Sequence, residues 1–233
     1  MTFETPAFIA ANVAAAYLFA WCTTPPNSTA PPKEHTVKDR LHIFVGRFPT
    51  IVRTGVTAVI LYHTLVAGLT VYAPARVGQA CPRAQNCNAA LFTWSPTTIL
   101  SLLSIYAGAA VRLSAYGGLG RSFTFHLAAP ERLVTSGVYA WIQHPSYTGL
   151  WLIGLGLEGF HLRWDGVMAC LVPEGVYAML SGWGLTLLAG ILAVEGFLTT
   201  ARLGDEEEML HEQFGEEWEA WHGKTARFVP FLF

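Results

Sequence analysis

Five apolar runs separated by short polar segments set the plan of the chain. Residues 6–22 carry no charge over 17 positions, which at 1.5 Å per residue is the short end of what crosses ~30 Å of hydrocarbon. Further runs at 50–73, 96–116, 147–160 and 176–201 repeat the pattern. The pattern predicts an all-α integral membrane bundle of about five transmembrane helices, a single membrane domain over 1–233. Pro25, Pro26, Pro31 and Pro32 block helix continuation after the first run; the mixed-charge segment that follows reads as a loop with room for a short interfacial helix. Arg53 lies near enough to the end of the second run to snorkel. Ser95-Pro96 is a helix-start signature, and Gly117-Gly118-Leu119-Gly120 reads as a flexible break ending the third run. Gly149, Gly154, Gly156 and Gly159 allow close helix approach. Residues 161–175 read as a loop with a short apolar helix before Pro173, and Glu158 as reaching the far interface.

Composition agrees with a bilayer solvent: 52% apolar residues and 13% charged, against about 25% charged in soluble domains. A net charge of −2 without clustered Lys or Arg gives no footprint for nucleic acid. Cys22, Cys81, Cys87 and Cys170 lack metal-ligand spacing, so no metal is expected. Met1 to Pro6 has no basic residue, which predicts a retained anchor rather than a signal peptide. Eleven of the 14 Lys and Arg fall in the loops on one side of the five-span plan, predicting a cytosolic C-terminal tail that shares its compartment with the polar segment before the fourth run. Cys81 and Cys87 then face the oxidising side, either disulfide-linked to each other or as free thiols. His63, inside the second run, reads foremost as a core histidine bonded to a backbone carbonyl.

Two polar stretches carry the candidate chemistry. The segment 133–149, LVTSGVYAWIQHPSYTG, combines a turn signal, aromatic faces and His144-Pro145, which forces His144 out of helical geometry. Backbone groups around such a break need partners; a bound nucleoside is one, and an interfacial aromatic belt of Tyr139, Trp141, Tyr147 and Trp151 is the alternative. In the tail, Leu210, Phe214, Trp218 and Trp221 form a helical apolar stripe. Arg202 and Glu206, four apart, can share a face as an ion pair that receives an anion. Glu207 and Glu208 read as a solvated face. Glu195, seven residues before Arg202, is a candidate for the substrate path or a structural acid.

These residues carry a resemblance. LVTSGVYAWIQHPSYTG, then RxxxE, LHEQFGEEWEAW and VPFLF over roughly 123–233, resemble the isoprenylcysteine carboxyl methyltransferase family, membrane enzymes using S-adenosylmethionine. The resemblance implies a cofactor site in 123–147 plus 202–233. It gives Leu133, Val134, Tyr139, His144, Pro145, Ser146, Tyr147 and Glu206 as cofactor contacts, His126 in place of an upstream Gln, and Arg202 as ligand of the substrate carboxylate. Arg202 and Glu206 are thus the expected catalytic pair, and Arg202 and Glu195 the expected substrate contacts. Gln143 departs from the family, which commonly has Arg before the His. The implied acceptor is a C-terminal prenylated cysteine on a protein or small analogue. Its α-carboxylate, with a pKa of about 3.5, needs no general base; placement supplies the catalysis, with Arg202 clamping the carboxylate. A phospholipid or amine methyltransferase needs no cation at the acceptor, and a sterol reductase-like protein binding a reduced nicotinamide cofactor would want extra Lys or Arg where this tail is acidic.

Overall fold

The computed structural model describes residues 4–27, 47–128 and 130–230. The segment proposed as an interfacial helix and the last three residues of VPFLF lie outside them. Among the described residues are eight α-helices: α1 (Glu4–Cys22), α2 (Arg47–Tyr72), α3 (Val77–Ala80), α4 (Pro96–Leu119), α5 (Pro145–Gly159), α6 (Glu174–Leu180), α7 (Gly184–Phe214) and α8 (Glu216–His222). The all-α membrane architecture expected from the hydrophobic pattern is observed.

Four of these helices, α1, α2, α4 and α7, are long and apolar enough to cross a membrane. The fourth expected span is α5, whose 15 residues rise only ~22 Å at 1.5 Å each. The expected span at 176–201 is not one helix. Gly182, at φ +90°, separates α6 from α7, and α7 then runs past Arg202 without interruption. Conversely, the Gly117–Gly118 pair does not break α4, which continues to Leu119; the turn comes at Gly120, φ +53°.

The chain forms two compact units. The first comprises 1–21, 52–107 and 152–191. Its core holds Phe8, Ala15 and Phe19 of α1, Ile60 and Val66 of α2, Leu102 and Ile105 of α4, and Ile153 and Leu157 of α5. Several polar groups buried among them find local partners. Asn12 donates to Phe8 O and accepts at Oδ1 from His161, whose Nε2 is 2.8 Å away. His63 Nε2 meets Leu91 O at 2.8 Å while its ring stacks on Phe92, the core role read from the sequence. Ser95 and Thr98 cap α4 reciprocally, Ser95 N donating to Thr98 Oγ1 at 2.9 Å and Thr98 N to Ser95 Oγ at 3.3 Å, so the predicted start holds. Gly156 lets α5 lie against α4: a Cβ there would stand 2.5 Å from Ser101 O. Glu158 is buried, 6% exposed.

The loop chemistry of this unit differs from expectation at the cysteines. The disulfide links Cys81 to Cys170, 89 residues on, and leaves Cys87 free. The short 3-10 turn Val167–Leu171, the apolar helix foreseen before Pro173, carries Cys170 to Cys81.

The second unit comprises 22–51, 108–151 and 192–233 and contains both polar stretches singled out above. Leu127, Met209, Leu210 and Trp218 form its cluster, with Leu133, Phe214 and Trp221 packed against it. The tail stripe is therefore a packing surface, but not a single helix: Gly215, φ +51°, turns the chain between α7 and α8, bringing Trp218 back onto Leu210.

Candidate functional site

Residues 142–148 are fixed by the end of the chain. The His144-Pro145 pair forbids a helical His144, so the amides before α5 need partners elsewhere. The C-terminal segment provides them: Gln143 N donates to Ala226 O at 2.8 Å and His144 N to Arg227 O at 3.1 Å. Ile142 and Ala226 form a parallel bridge, and Thr148 Oγ1 donates to Phe228 O at 2.8 Å. These amides, open on sequence grounds to a nucleoside, are instead taken by backbone. Gln143 adds a side-chain clamp, its Nε2 donating to His222 O at 3.1 Å and to Thr225 O, while its Oε1 faces His222 Nδ1 at 2.8 Å. An Arg could not accept from His222, which gives the departure from the family pattern a structural use.

The side chains of this stretch then meet α7. Tyr147 donates to Glu206 Oε2 at 3.0 Å. His144, 3% exposed, has Nε2 at 3.1 Å from Glu207 Oε1; a carboxylate only accepts, so Nε2 carries the proton. Arg227 holds the other oxygen of Glu207 at 2.8 Å. His144 Nδ1 is buried without a hydrogen-bond partner, its nearest anion being Glu206 Oε1 at 3.9 Å. Pro145 is fully buried beneath it. Burial pulls the His222 imidazole below its ordinary range, the Glu207 carboxylate opposing, Arg227 and His144 reinforcing.

Around this centre stand the other expected residues. Tyr139 is buried, its ring against Gly118, where a Cβ would lie 2.9 Å from the ring edge. Its hydroxyl lies 3.4 Å from Ala115 O, and its carbonyl accepts from Trp221 Nε1 at 3.0 Å. Burial, followed by the Glu206 charge, pushes its phenol up. Of the aromatics that would make an interfacial belt, Trp141 points outward at 59% exposure, whereas Trp151 donates to Thr199 at 3.2 Å. Arg202, one turn before Glu206 on α7, donates from Nη2 to Phe125 O at 2.8 Å. Leu133 packs on the Leu127–Trp218 cluster; Val134 follows it, half-buried. His126 is half-buried and accepts at its carbonyl from Thr124 Oγ1, 2.6 Å. Glu195 lies on α7, two turns before Arg202 and half-buried. Tyr139, His144, Pro145, Tyr147, Arg202 and Glu206 all fall within the second unit.

Two residues escape the sequence reading. Glu207, assigned there to a solvated face, is the anchor of His144. Arg112, 5% exposed, donates from Nη1 to Ser146 Oγ at 2.6 Å and Ser146 O at 3.1 Å, and from Nε to Cys22 O at 2.6 Å. Its guanidinium also lies over the Tyr116 and Phe125 rings. A lone cation inside an apolar run is the signal that could have found it, because such a charge persists only with partners. Nothing comparable in sequence separates Glu207 from Glu208.

Residues 99–180 match the model of the isoprenylcysteine carboxyl methyltransferase (ICMT) family. The chain is similar to protein-S-isoprenylcysteine O-methyltransferase of Schizosaccharomyces pombe, 28% identical over 147 residues, 61% of this chain and 52% of that protein. It is similar to the proteins of that name from Mus musculus and Homo sapiens, each 30% identical over 145 residues, 60% of this chain and 43% of theirs. The chain thus spans about half the length of the curated relatives it matches. The family-model match contains Arg112, Tyr139 and the HPSY motif and ends before Arg202 and Glu206.

Proposed function

We propose that this chain, which resembles the ICMT family as its motifs suggest, is a membrane methyltransferase acting on the α-carboxylate of a prenylated cysteine, on a protein or a small analogue, with S-adenosylmethionine as donor. The observation that carries the reading is the seating of the HPSY motif on α7: Tyr147 on Glu206, His144 on Glu207, with Arg202 one turn away. When bound, S-adenosylmethionine supplies a methyl group on a positively charged sulfonium. The residues present fit it. A buried ring nitrogen, His144 Nδ1, still has hydrogen-bonding capacity to use, and Glu206 offers an anion whose side chain is 29% exposed.

Within this proposal Tyr139, His144, Pro145, Ser146, Tyr147 and Glu206 hold the cofactor, with Leu133, Val134 and His126 at its margin. Arg202 orients the acceptor carboxylate, and Glu195 lies along the path of its apolar tail. No proton has to be removed, because the carboxylate is already ionised at neutral pH; positioning is the chain's contribution. Arg112 takes the Ser146 hydroxyl and carbonyl, holding the first turn of α5, and Glu207 holds His144. The Lys and Arg bias of the loops assigns the site to the cytosolic side of its membrane, and the family resemblance is the ground for taking that membrane as the endoplasmic reticulum.

Membranes carrying the full chain, given methyl-labelled S-adenosylmethionine and N-acetyl-farnesylcysteine, are expected to form base-labile methyl ester. Arg202→Ala is expected to lose nearly all of it while still binding the cofactor. Folded, cofactor-binding wild type that forms no ester would overturn the carboxylate acceptor.

A further inference from the structure

The first unit contains a cluster of sulfur atoms that the methyltransferase reading does not use. Cys81, Cys87 and Cys170 place their sulfurs within 4.8 Å of one another. The disulfide joins Cys81 to Cys170, yet the free Cys87 Sγ is 3.5 Å from Cys170 Sγ and 4.0 Å from Cys81 Sγ. All three sit on short irregular elements between the long helices: Cys81 at the end of α3, Cys87 after the 3-10 turn Ala84–Asn86, and Cys170 in the turn Val167–Leu171. Such segments re-pair at lower cost than a helix core does.

Beside the cluster lies a cavity of about 390 Å³, mostly apolar, with Phe8, Val66, Val71 and Phe92 among its walls. Cys81 and Cys87 both line it. Both candidate partners of Cys170 therefore border the same space.

We infer that these cysteines form a thiol–disulfide exchange site beside the cavity, in which Cys170 bonds alternately to Cys81 or Cys87. In the exchange, the Cys87 thiolate attacks Cys170 Sγ, a Cys87–Cys170 bond forms, and Cys81 leaves as the thiolate and takes up the proton that Cys87 gave up. No oxidant is consumed, since one disulfide and one thiol are present before and after. Cys87 Sγ, 3.5 Å from Cys170 Sγ and 4.0 Å from Cys81 Sγ, lies beside the bond and must swing into line with it; that local motion replaces an encounter in solution, and the attacking species is the thiolate. Burial pushes the Cys87 thiol up, a hydrogen bond opposes this, and the Asp165 carboxylate adds to it. Tyr62 and Tyr177 are the other ionisable groups coupled to Cys87. The exchange is accordingly slow at neutral pH and accelerates as pH rises.

The sequence makes the two isomers separable, because Arg83 lies between Cys81 and Cys87 and trypsin releases them on different peptides. Purified full-length wild type is held for a fixed time at pH 7 or pH 9, quenched with acid, alkylated, digested without reduction and read by mass spectrometry. Both Cys81–Cys170 and Cys87–Cys170 peptides are expected, the second rising severalfold from pH 7 to pH 9. A second arm uses Cys81→Ser with oxidised glutathione as oxidant, where the Cys87–Cys170 peptide is expected in most chains. Cys81–Cys170 alone in the wild type at both pH values would overturn the inference, whatever the variant does.

Discussion

Glu207 accepts from two donors at once, His144 on one oxygen and Arg227 on the other, and that double role makes it testable. A Gln at 207 keeps the shape but has one acceptor oxygen; its amide must then face either Nε2–H or the guanidinium, donor against donor. Losing a hydrogen bond to a charged group costs about 1.5–3 kcal/mol. Glu207→Gln is therefore expected to weaken S-adenosylmethionine binding roughly tenfold or more, measured by equilibrium binding in detergent. Glu208→Gln, on the exposed neighbour, is expected to leave it unchanged. Equal affinities for all three proteins would remove His144 orientation from the account. Which of two adjacent acids matters was hidden in the sequence, since their difference is about 100° around α7, and only the fold decides which direction faces His144. Gln143 was hidden for a related reason. Its partners are carbonyls and a ring nitrogen 79–82 residues away, and a backbone carbonyl leaves no mark in a sequence.

Helix contacts make Gly149 of α5 unequal to Gly190 of α7. At Gly149 a Cβ would lie 2.6 Å from Gly108 O and 2.7 Å from Arg112 Cβ, so Ala there must separate two backbones in the second unit. Overpacking of this kind costs about 1–3 kcal/mol. Gly190 is exposed in the middle of α7 with nothing within 4 Å, and Ala there gains about 0.5–1 kcal/mol of helix preference. Thermal melts in detergent are expected to fall for Gly149→Ala and to stay level or rise for Gly190→Ala; the reverse order would mean the α4–α5 approach is not close. Helix starts were legible because Ser95-Pro96 and His144-Pro145 act through local geometry. Some helix ends were legible too, Cys22, Tyr72 and Gly159 falling within one residue of the expected 22, 73 and 160, but others were not. Gly117 and Gly118 permit helix as well as turn, with Gly118 leaving space for the Tyr139 ring, and the break at Gly182 lies in sequence that hydropathy reads as continuous.

Across the whole chain, an apolar composition was enough to foresee a helical membrane protein, but the long-range ties were beyond it. On sequence grounds Cys81 and Cys87 were open to a bond over six residues or to two free thiols; the observed bond instead joins Cys81 to Cys170 and spans 89. The same turn that carries Cys170 is preceded by an ion pair that links the loops of the first unit. Arg163 grips Asp165 with Nε at 2.7 Å and Nη2 at 2.8 Å, and Asn88 donates to Asp165 Oδ2 at 3.3 Å. Burial alone would push the Asp165 carboxyl up, but the Arg163 hydrogen bonds and charge outweigh it and hold the group below its ordinary 3.8. A group whose folded value is depressed contributes stability that is fully present above its unfolded value and is lost as pH falls through the folded one. Wild type is therefore expected to melt above Asp165→Asn by a constant margin from pH 7 down to about 5. The margin should shrink below pH 3.8, as the wild-type carboxyl takes up its proton and Arg163 is left without its counter-charge. Melting both proteins in detergent at half-unit steps of pH checks the sign: a margin that widens on acidification would mean that the carboxyl is held up by burial rather than down by Arg163.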